Sequence, residues 1–456
     1  MILKSFWNDH LSQWSYLVGC PGAGEAIVID PDRDVEKYLE TAKAEGVRIT
    51  QVTETHIHAD YLSGARELAA VAGARLLLSG EGGPDWTYTY ENPHGTRILK
   101  DGDMIQVGGG RLLVMHTPGH TPEHITFVLE EREGVPLGAF TGDFVFVGDV
   151  GRPDLLENAA GIAGTAEPGA RNLYRSLQKF AELPDSLIIW PAHGAGSACG
   201  KALGGIPVST LGYEKRTNWA FGFASEDEFV KSVLDGQPEA PVYFAMMKKL
   251  NKVGPGLVRE LPPLARSWES GALARFVEAG ALVLDVRPSA DYLKSHRRGS
   301  LHIPLYGGFV NYAGWLIGYD QDVVLVASNA ADAADARRRL QMIGLDRVVG
   351  WVGADALDAE LATGREVPAA ELGDEDFRID IRGRNERVGG RTVPKAAEIP
   401  LGVLPRHASE LPSDETIYVV CESGIRGPIG CSVLERAGRK SASVRGGYRA
   451  LAALKK

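Results

Sequence analysis

Five of the eleven histidines in the 456-residue chain fall in three short clusters. These are His56-Ile-His58-Ala-Asp60, His116-Thr-Pro-Gly-His120 and Pro191-Ala-His193. Asp143 ends a fourth short motif, Phe140-Thr-Gly-Asp143. Imidazole and carboxylate together suit iron, manganese or zinc. In an extended stretch residues two apart face the same way, so His56 and His58 can address one centre. A second kind of chemistry lies near the C-terminus, in Cys421-Glu-Ser-Gly-Ile-Arg426-Gly427. The loop follows a predicted strand, Thr416–Val420, and precedes a predicted helix, Pro428–Ala437. A strand–loop–helix aims backbone N–H groups at its first residue, and Arg426 adds a positive charge. Both favour thiolate over thiol at Cys421, which makes it a nucleophile. The same cradle, Gly424 and Gly427 included, can hold an anion or a sulfane sulfur.

The elements that must position these groups read as alternating strands and helices. Glu25–Asp30, Arg48–Thr53, Arg111–His116 and Leu187–Trp190 read as strands, and Ile125–Leu129 with Leu137–Thr141 as a hairpin. Val35–Ala44, Leu62–Ala72 and Ala170–Phe180 read as helices, the second stopped by Gly73. Each histidine cluster lies just past a strand, where rigid scaffolds display reactive groups. Hydrophobic residues at 44% and charged residues at 24% are ordinary for a soluble globular protein. No apolar stretch approaches the roughly 18 residues that span a bilayer, and the first ten residues do not read as a signal peptide. A net charge of -10 disfavours a nucleic-acid partner. Four cysteines are too sparse for a disulfide scaffold, which fits a reducing cytoplasm. Cys20 and Cys431 read as packing residues.

The last part of the chain contains a repeat. Val283-Leu-Asp-Val-Arg287 matches Arg378-Ile-Asp-Ile-Arg382 at an offset of 95, and Ile303-Pro-Leu305 matches Ile399-Pro-Leu401 at 96. Gly344 matches Gly438, and Gly353–Leu357 matches Gly447–Leu451, both at 94. The repeat predicts two copies of one small α/β domain. At the last offset Ala327 stands opposite Cys421 and Asp332 opposite Arg426, so the first copy has the frame without the chemistry. The expected division is a domain over 1–250, a linker over 251–268, a degenerate copy over 269–362 and an intact copy over 363–456.

The histidine motifs, with Thr141-Gly-Asp143, resemble the metallo-β-lactamase superfamily over roughly residues 1–250. The resemblance implies an αββα sandwich with metal at the sheet edges. Hydrolases of that superfamily carry His-x-His-x-Asp-His and bind two metals; here the last position is Tyr61, a poor ligand at neutral pH. The branch most similar is the persulfide dioxygenases. Their Fe(II) ligands map onto His56, His120 and Asp143, one iron per chain, with His58, Asp60, Tyr61 and His193 placed around them to orient the ligands. His116 and His124 flank the ligand loop and read as structural. By the same resemblance Arg152 either clamps an anionic thiol carrier or holds its own loop. Cys199, in a Gly-rich loop after His193, either relays sulfur or is a packed thiol.

The Cys421 loop, with the Asp-Ile-Arg strand end ahead of it and Gly446-Gly447-Tyr448 behind, resembles a rhodanese domain, although a related phosphatase loop shares the Cys and Arg spacing. The whole chain is thus similar to persulfide dioxygenase–rhodanese fusions: an αββα sandwich followed by two rhodanese-like α/β domains. That resemblance implies oxidation of a low-molecular-weight persulfide by O2 to sulfite and thiol. It also implies sulfane-sulfur transfer at Cys421 that makes or uses thiosulfate. A binuclear zinc glyoxalase II-like hydrolase and a persulfide sensor are the rival readings. The inert repeat suggests an interface role and a homo-oligomer. The thiol carrier and the direction of sulfur flow are not legible.

Overall fold

The strands of the N-terminal part alternate their apolar side chains between two cores, as the two-residue strand period requires. The structure is a computed structural model. It describes all residues except 132–133, 156, 158–163, 198, 202, 238–239, 268–270, 358–359 and 455–456. In β3 (Glu25–Ile29), Ala26 and Val28 face one core while Ile27 and Ile29 face another. In β8 (Gly110–His116), Leu112 and Val114 face inward and Leu113 and Met115 outward. A strand buried on both faces needs a layer on each side, and the fold supplies them.

The first sheet runs in the order β1 (Ile2–Asn8), β2 (Gln13–Cys20), β3, β4 (Arg48–Thr53), β5 (Arg75–Ser79) and β6 (Thr96–Leu99). The second runs β12 (Ser209–Thr210), β11 (Ile188–Pro191), β10 (Pro136–Gly142), β9 (Ile125–Glu130), β8 and β7 (Met104–Val107). Tyr16, Val18, Leu77, Phe127 and Phe140 fill the space between the sheets. Outside the first sheet pack the helices Glu36–Ala44 and Ala65–Ala72; outside the second, Ala166–Ala181 and Glu226–Leu234. The expected helix–sheet–sheet–helix layering is therefore present. Gly73 closes its helix in the left-handed conformation, with φ 66°. β3 and β4 are parallel, as are β10 and β11, and β8 runs with β10 through two antiparallel steps. The metal-type motifs all follow the C-terminal ends of these strands.

The chain divides into two units, Met1–Leu261 with Gln341–Gly344, and Pro262–Leu340 with Leu345–Lys456. The segment from residue 251, expected as linker, begins instead as part of the first unit. Asn251 is buried in the helix Phe244–Val253 and donates to the carbonyls of His58 and Tyr61. Val258 and Arg259 donate their N–H groups to Glu67. The expected boundary at 268 and 269 lies outside the described residues. Among the described residues no helix is long and apolar enough to cross a membrane.

The second unit contains two mainly parallel sheets of one topology. In the first the order is Leu301–His302, Leu282–Asp285, Val323–Val326, Val348–Val352. In the second it is Ala396–Glu398, Arg378–Asp380, Ile417–Val420, Ser441–Arg445, with Glu366–Pro368 added at the edge. At the end of the matched strands Arg287 forks onto Asp285 and Arg382 onto Asp380, in each case through Nε and Nη2.

Candidate metal centre and cysteine loop

The end of β3 organises the first unit's site. Asp30 has φ 52°, left-handed for a residue with a side chain, a conformation that costs about 1–2 kcal/mol and persists where neighbours hold it. Its carboxylate accepts from Thr55 N–H at 2.7 Å and from Thr55 Oγ1 at 2.9 Å, and it pairs with His58 Nε2 at 3.1 Å. Burial works against a charge on His58, yet Asp30 outweighs it and holds His58 up to about 9. Glu123 Oε1 accepts from Ile57 N–H. Burial pushes Glu123 up to about 7. The stretch after β4 is thereby tied down on both sides.

His56, His120 and Asp143 converge, all fully buried or nearly so. Asp143 Oδ2 lies 3.4 Å from His120 Nε2 and 3.9 Å from His56 Nε2. Ligands about 2.0–2.2 Å from one ion sit roughly 3–4 Å apart, so the spacing fits. His120 Nδ1 donates to the carbonyl of Arg152 at 2.9 Å, which turns Nε2 to the centre. His124 Nε2 accepts the N–H of Asp143 and its Nδ1 meets Thr117 Oγ1, so this histidine positions the aspartate. His56 Nε2 and both oxygens of Asp143 are buried without a hydrogen-bond partner. Burial, with the nearby His58, pushes His56 well below its ordinary value, and burial also lowers His120. Neutral imidazoles and orphaned lone pairs are what a bound cation requires. Two glycines make the approach feasible: a Cβ on Gly142 would lie 2.5 Å from Thr55 Oγ1, and one on Gly151 1.8 Å from the Asp143 carbonyl.

With that geometry the comparisons agree. The sequence profile of the metallo-β-lactamase superfamily matches residues 8–193. The mitochondrial persulfide dioxygenase ETHE1 of Bos taurus is 30% identical over 236 residues, 51% of this chain and 80% of the relative. A hydroxyacylglutathione hydrolase of a Polaromonas species is 33% identical over 196 residues, 42% of this chain and 66% of the relative. The crystal structure of a metallo-β-lactamase from Staphylococcus aureus subsp. aureus COL is 41% identical with a TM-score of 0.69, covering 77% of this chain and 99% of that one. The chain belongs to the metallo-β-lactamase superfamily. Its superfamily metal-binding site is His56, His120 and Asp143.

Other expected site residues fall differently around this metallo-β-lactamase centre. Tyr61 is fully buried, and its hydroxyl donates to the Asp30 carbonyl and accepts from Gln13 Nε2, so it turns from the histidines' lone pairs. Asp60 and His193 lie with Cys199 in a second buried cluster. Burial, then Asp143 and Asp60, push the Cys199 thiol up to about 12. Of the two readings left open for Arg152, the geometry favours the loop holder: it is fully buried, and its Nε and Nη2 grip the two oxygens of Asp154 at 2.7 and 2.6 Å. Its fork holds the loop. Beside Gly119 and Pro122 instead lies a cavity of about 600 Å³ lined by Trp86, Asn172, Lys248, Lys249 and Lys252. Lys248 Nζ stands 3.4 Å over the Trp86 ring. Sequence reading missed these lysines, although their spacing on one helix was visible.

In the second unit Cys421 follows the strand Ile417–Val420, nearly covered, and its Sγ accepts from Gly424 N–H at 3.2 Å. Gly447 presses against it: with φ 56°, a Cβ there would lie 2.1 Å from the Cys421 carbonyl. Gly427 opens the following helix, where a Cβ would meet Ser443 Oγ at 2.1 Å, so its missing side chain serves packing. Arg426 does not stand as a free charge. Its Nη1 donates to Glu386 Oε2 at 2.8 Å and its Nη2 to Oε1. Against the effect of burial, Arg426 holds the Glu386 carboxyl below its ordinary value. Burial pushes Cys431 up to about 12, in keeping with a packing role. A cavity of about 900 Å³ beside the loop is lined by Ser423, Gly424 and Ile425 and, from the first copy, Pro288, Leu305 and Tyr306. The Tyr306 hydroxyl donates to the Ile425 carbonyl at 3.1 Å.

Proposed function

We propose that the first unit is an iron(II) persulfide dioxygenase, one iron per chain at His56, His120 and Asp143, and that Cys421 carries sulfane sulfur as a rhodanese does. The observation that carries the reading is the convergent set of two imidazole nitrogens and one carboxylate, with the Tyr61 hydroxyl engaged instead by the Asp30 carbonyl and Gln13. Similarity to proteins named persulfide dioxygenase supports it. Iron held by these residues would supply activation of O2 toward the terminal sulfur.

The chain's own residues bind and orient. The Arg152 carbonyl fixes the His120 tautomer, and His124 fixes Asp143. The three lysines around the cavity beside Gly119 suit an anionic thiol carrier. The balanced reaction takes R–S–SH, O2 and water to R–SH, sulfite and two protons. At Cys421 the outer sulfur of a cysteine persulfide is attacked by sulfite. The S–S bond breaks, thiosulfate leaves, and the thiolate returns; the reverse loads the cysteine. Gly424 N–H stabilises that thiolate.

Metal analysis of protein purified without oxygen, followed by oxygen-electrode assays with several low-molecular-weight persulfides, tests this. One iron per chain and persulfide-dependent O2 uptake are expected, and His56→Ala loses both. A chain without iron that hydrolyses thioesters and takes up no O2 overturns it.

A further inference from the structure

The cavity of about 900 Å³ beside the Cys421 loop is large for the anions that sulfur transfer handles. Sulfite and thiosulfate are a few atoms each, whereas a space of this size suits an organic ligand. The walls agree. Pro288, Ala290, Leu293 and Leu305 come from the first copy, Ile425 and Pro428 from the second. Apolar side chains give a dianion nothing in exchange for its water. Ser423 and Gly424 join the lining, and the Gly424 N–H is the group that meets Cys421 Sγ. The cavity therefore borders the cradle of the sulfur.

The charges on the lining favour a cation. Asp332 and Glu366 stand against Arg445 alone, and Glu366 takes that arginine at 2.8 Å. Asp332 is half-buried and its carboxylate accepts the Asn329 amide at 3.1 Å. Among the described residues no cation pairs with it. Arg426, the cation of the cysteine loop itself, is already gripped by Glu386. Asp332 is also the counterpart of Arg426 in the repeat. Where the second copy holds its arginine, the first copy thus presents a carboxylate, and it presents it to the cavity of the second.

We infer that Asp332 is a specificity-determining residue for sulfur transfer at Cys421, selecting as acceptor a small organic thiol that bears an ammonium group. The inference rests on Cys421 as the sulfane-sulfur carrier. Asp332 holds the ammonium, and the apolar wall covers the carbon chain. The acceptor thiol loses its proton to solvent, and its thiolate attacks the outer sulfur of the Cys421 persulfide. The S–S bond to Cys421 breaks as the new one forms. The transferred sulfur keeps its proton, R–S–SH leaves, and Cys421 returns as thiolate, so no oxidant or reductant is consumed.

The test uses the full-length chain without oxygen, with thiosulfate as donor and sulfite release as the readout. Cysteamine and 2-mercaptoethanol are the acceptors, two-carbon thiols that differ in carrying an ammonium or a hydroxyl. In Asp332→Asn the KM for cysteamine rises about fivefold, the scale of an ion pair not wholly shielded from water, and the KM for 2-mercaptoethanol stays. Asp332→Glu restores the low cysteamine value. Comparing one thiol across variants cancels that thiol's own acidity. Equal changes for the two thiols, or none, overturn the inference. Should Asp332→Asn not fold, the wild type decides: salt at about 0.5 M raises the cysteamine KM more than the other, and an equal response overturns it. Thiosulfate-to-cyanide transfer by the wild type separates the two failures. If it is absent, the carrier reading falls and takes this inference with it; if it is present while Asp332→Asn treats both thiols alike, this inference falls alone.

Discussion

The two copies in the second unit share a sheet order and a strand-end Asp–Arg fork, yet only the second has a cysteine at the end of its third matched strand. Ala327 and Asp332 stand where Cys421 and Arg426 stand. Both residues of each fork are buried, with Asp285 and Arg287 in one copy and Asp380 and Arg382 in the other. A buried carboxylate and guanidinium are costly to separate, so the forks belong to the frame of each copy. The cysteine and arginine belong to the loop, and the difference teaches that the frame and the loop are specified by different residues. The first copy keeps a further use, since Pro288, Leu305 and Tyr306 wall the cavity beside the Cys421 loop.

The largest expected effect separates loop from frame. Cys421→Ser abolishes thiosulfate-to-cyanide sulfur transfer and leaves persulfide-dependent O2 uptake largely intact; loss of both would join the two activities into one machine. Next come the forks. Asp285→Ala leaves Arg287 with the Ser295 carbonyl, at a cost of about 3–5 kcal/mol. Asp380→Ala costs less, because Arg382 also donates to Glu422 and the Arg391 carbonyl and stacks on Tyr448. Urea melts of the two variants measure the gap, and equal midpoint shifts would contradict it.

Smaller effects follow at the matched glycines. Gly447→Ala forces an alanine to φ 56° and against the Cys421 carbonyl, about 1–2 kcal/mol from backbone conformation alone. Gly353→Ala sits at φ -85° and meets the Asp355 side chain, so it costs less. Thermal shifts and sulfur transfer on both variants check the contrast.

The smallest effect is a pH slope peculiar to the first copy. Burial lowers His302 to about 3, whereas its counterpart Glu398 is exposed. The unfolded histidine binds its proton near pH 6.5, well above the folded one. Stability is therefore full above about 6.5 and falls toward pH 3, by up to about 1.4 kcal/mol per pH unit. His302→Gln should flatten that slope in acid melts; an unchanged slope would assign it to other groups.

The strands and helices around the first site were legible because strand period and turn residues act locally, whereas their layering came from the resemblance. β1 and β2 were not legible: β1 is half-exposed and mixed in polarity, and lacks the continuous apolar run that marked β3. Strand ends marked the histidine clusters as candidates, but it was the resemblance that singled out His56, His120 and Asp143. Asp30 looked like an ordinary strand end, since its left-handed φ and its hold on Thr55 and His58 need the third dimension. For Arg152 the sequence left clamp and loop holder open, although Asp154 two residues on was in view. Cys199 and Asp60 are brought together only by the fold, which one sequence does not display.

The Arg426–Glu386 pair makes the cysteine loop responsive to dissolved salt. Glu386 is about a third exposed and Arg426 less so, at 34% and 14% of their side chains. Ions screen partly exposed pairs more than buried ones, over a length of about 8 Å at physiological strength. The positive charge offered to an arriving anion is thus a property of the medium as well as of the chain. Two laboratories working in different buffers would meet the same pair of charges, differently screened.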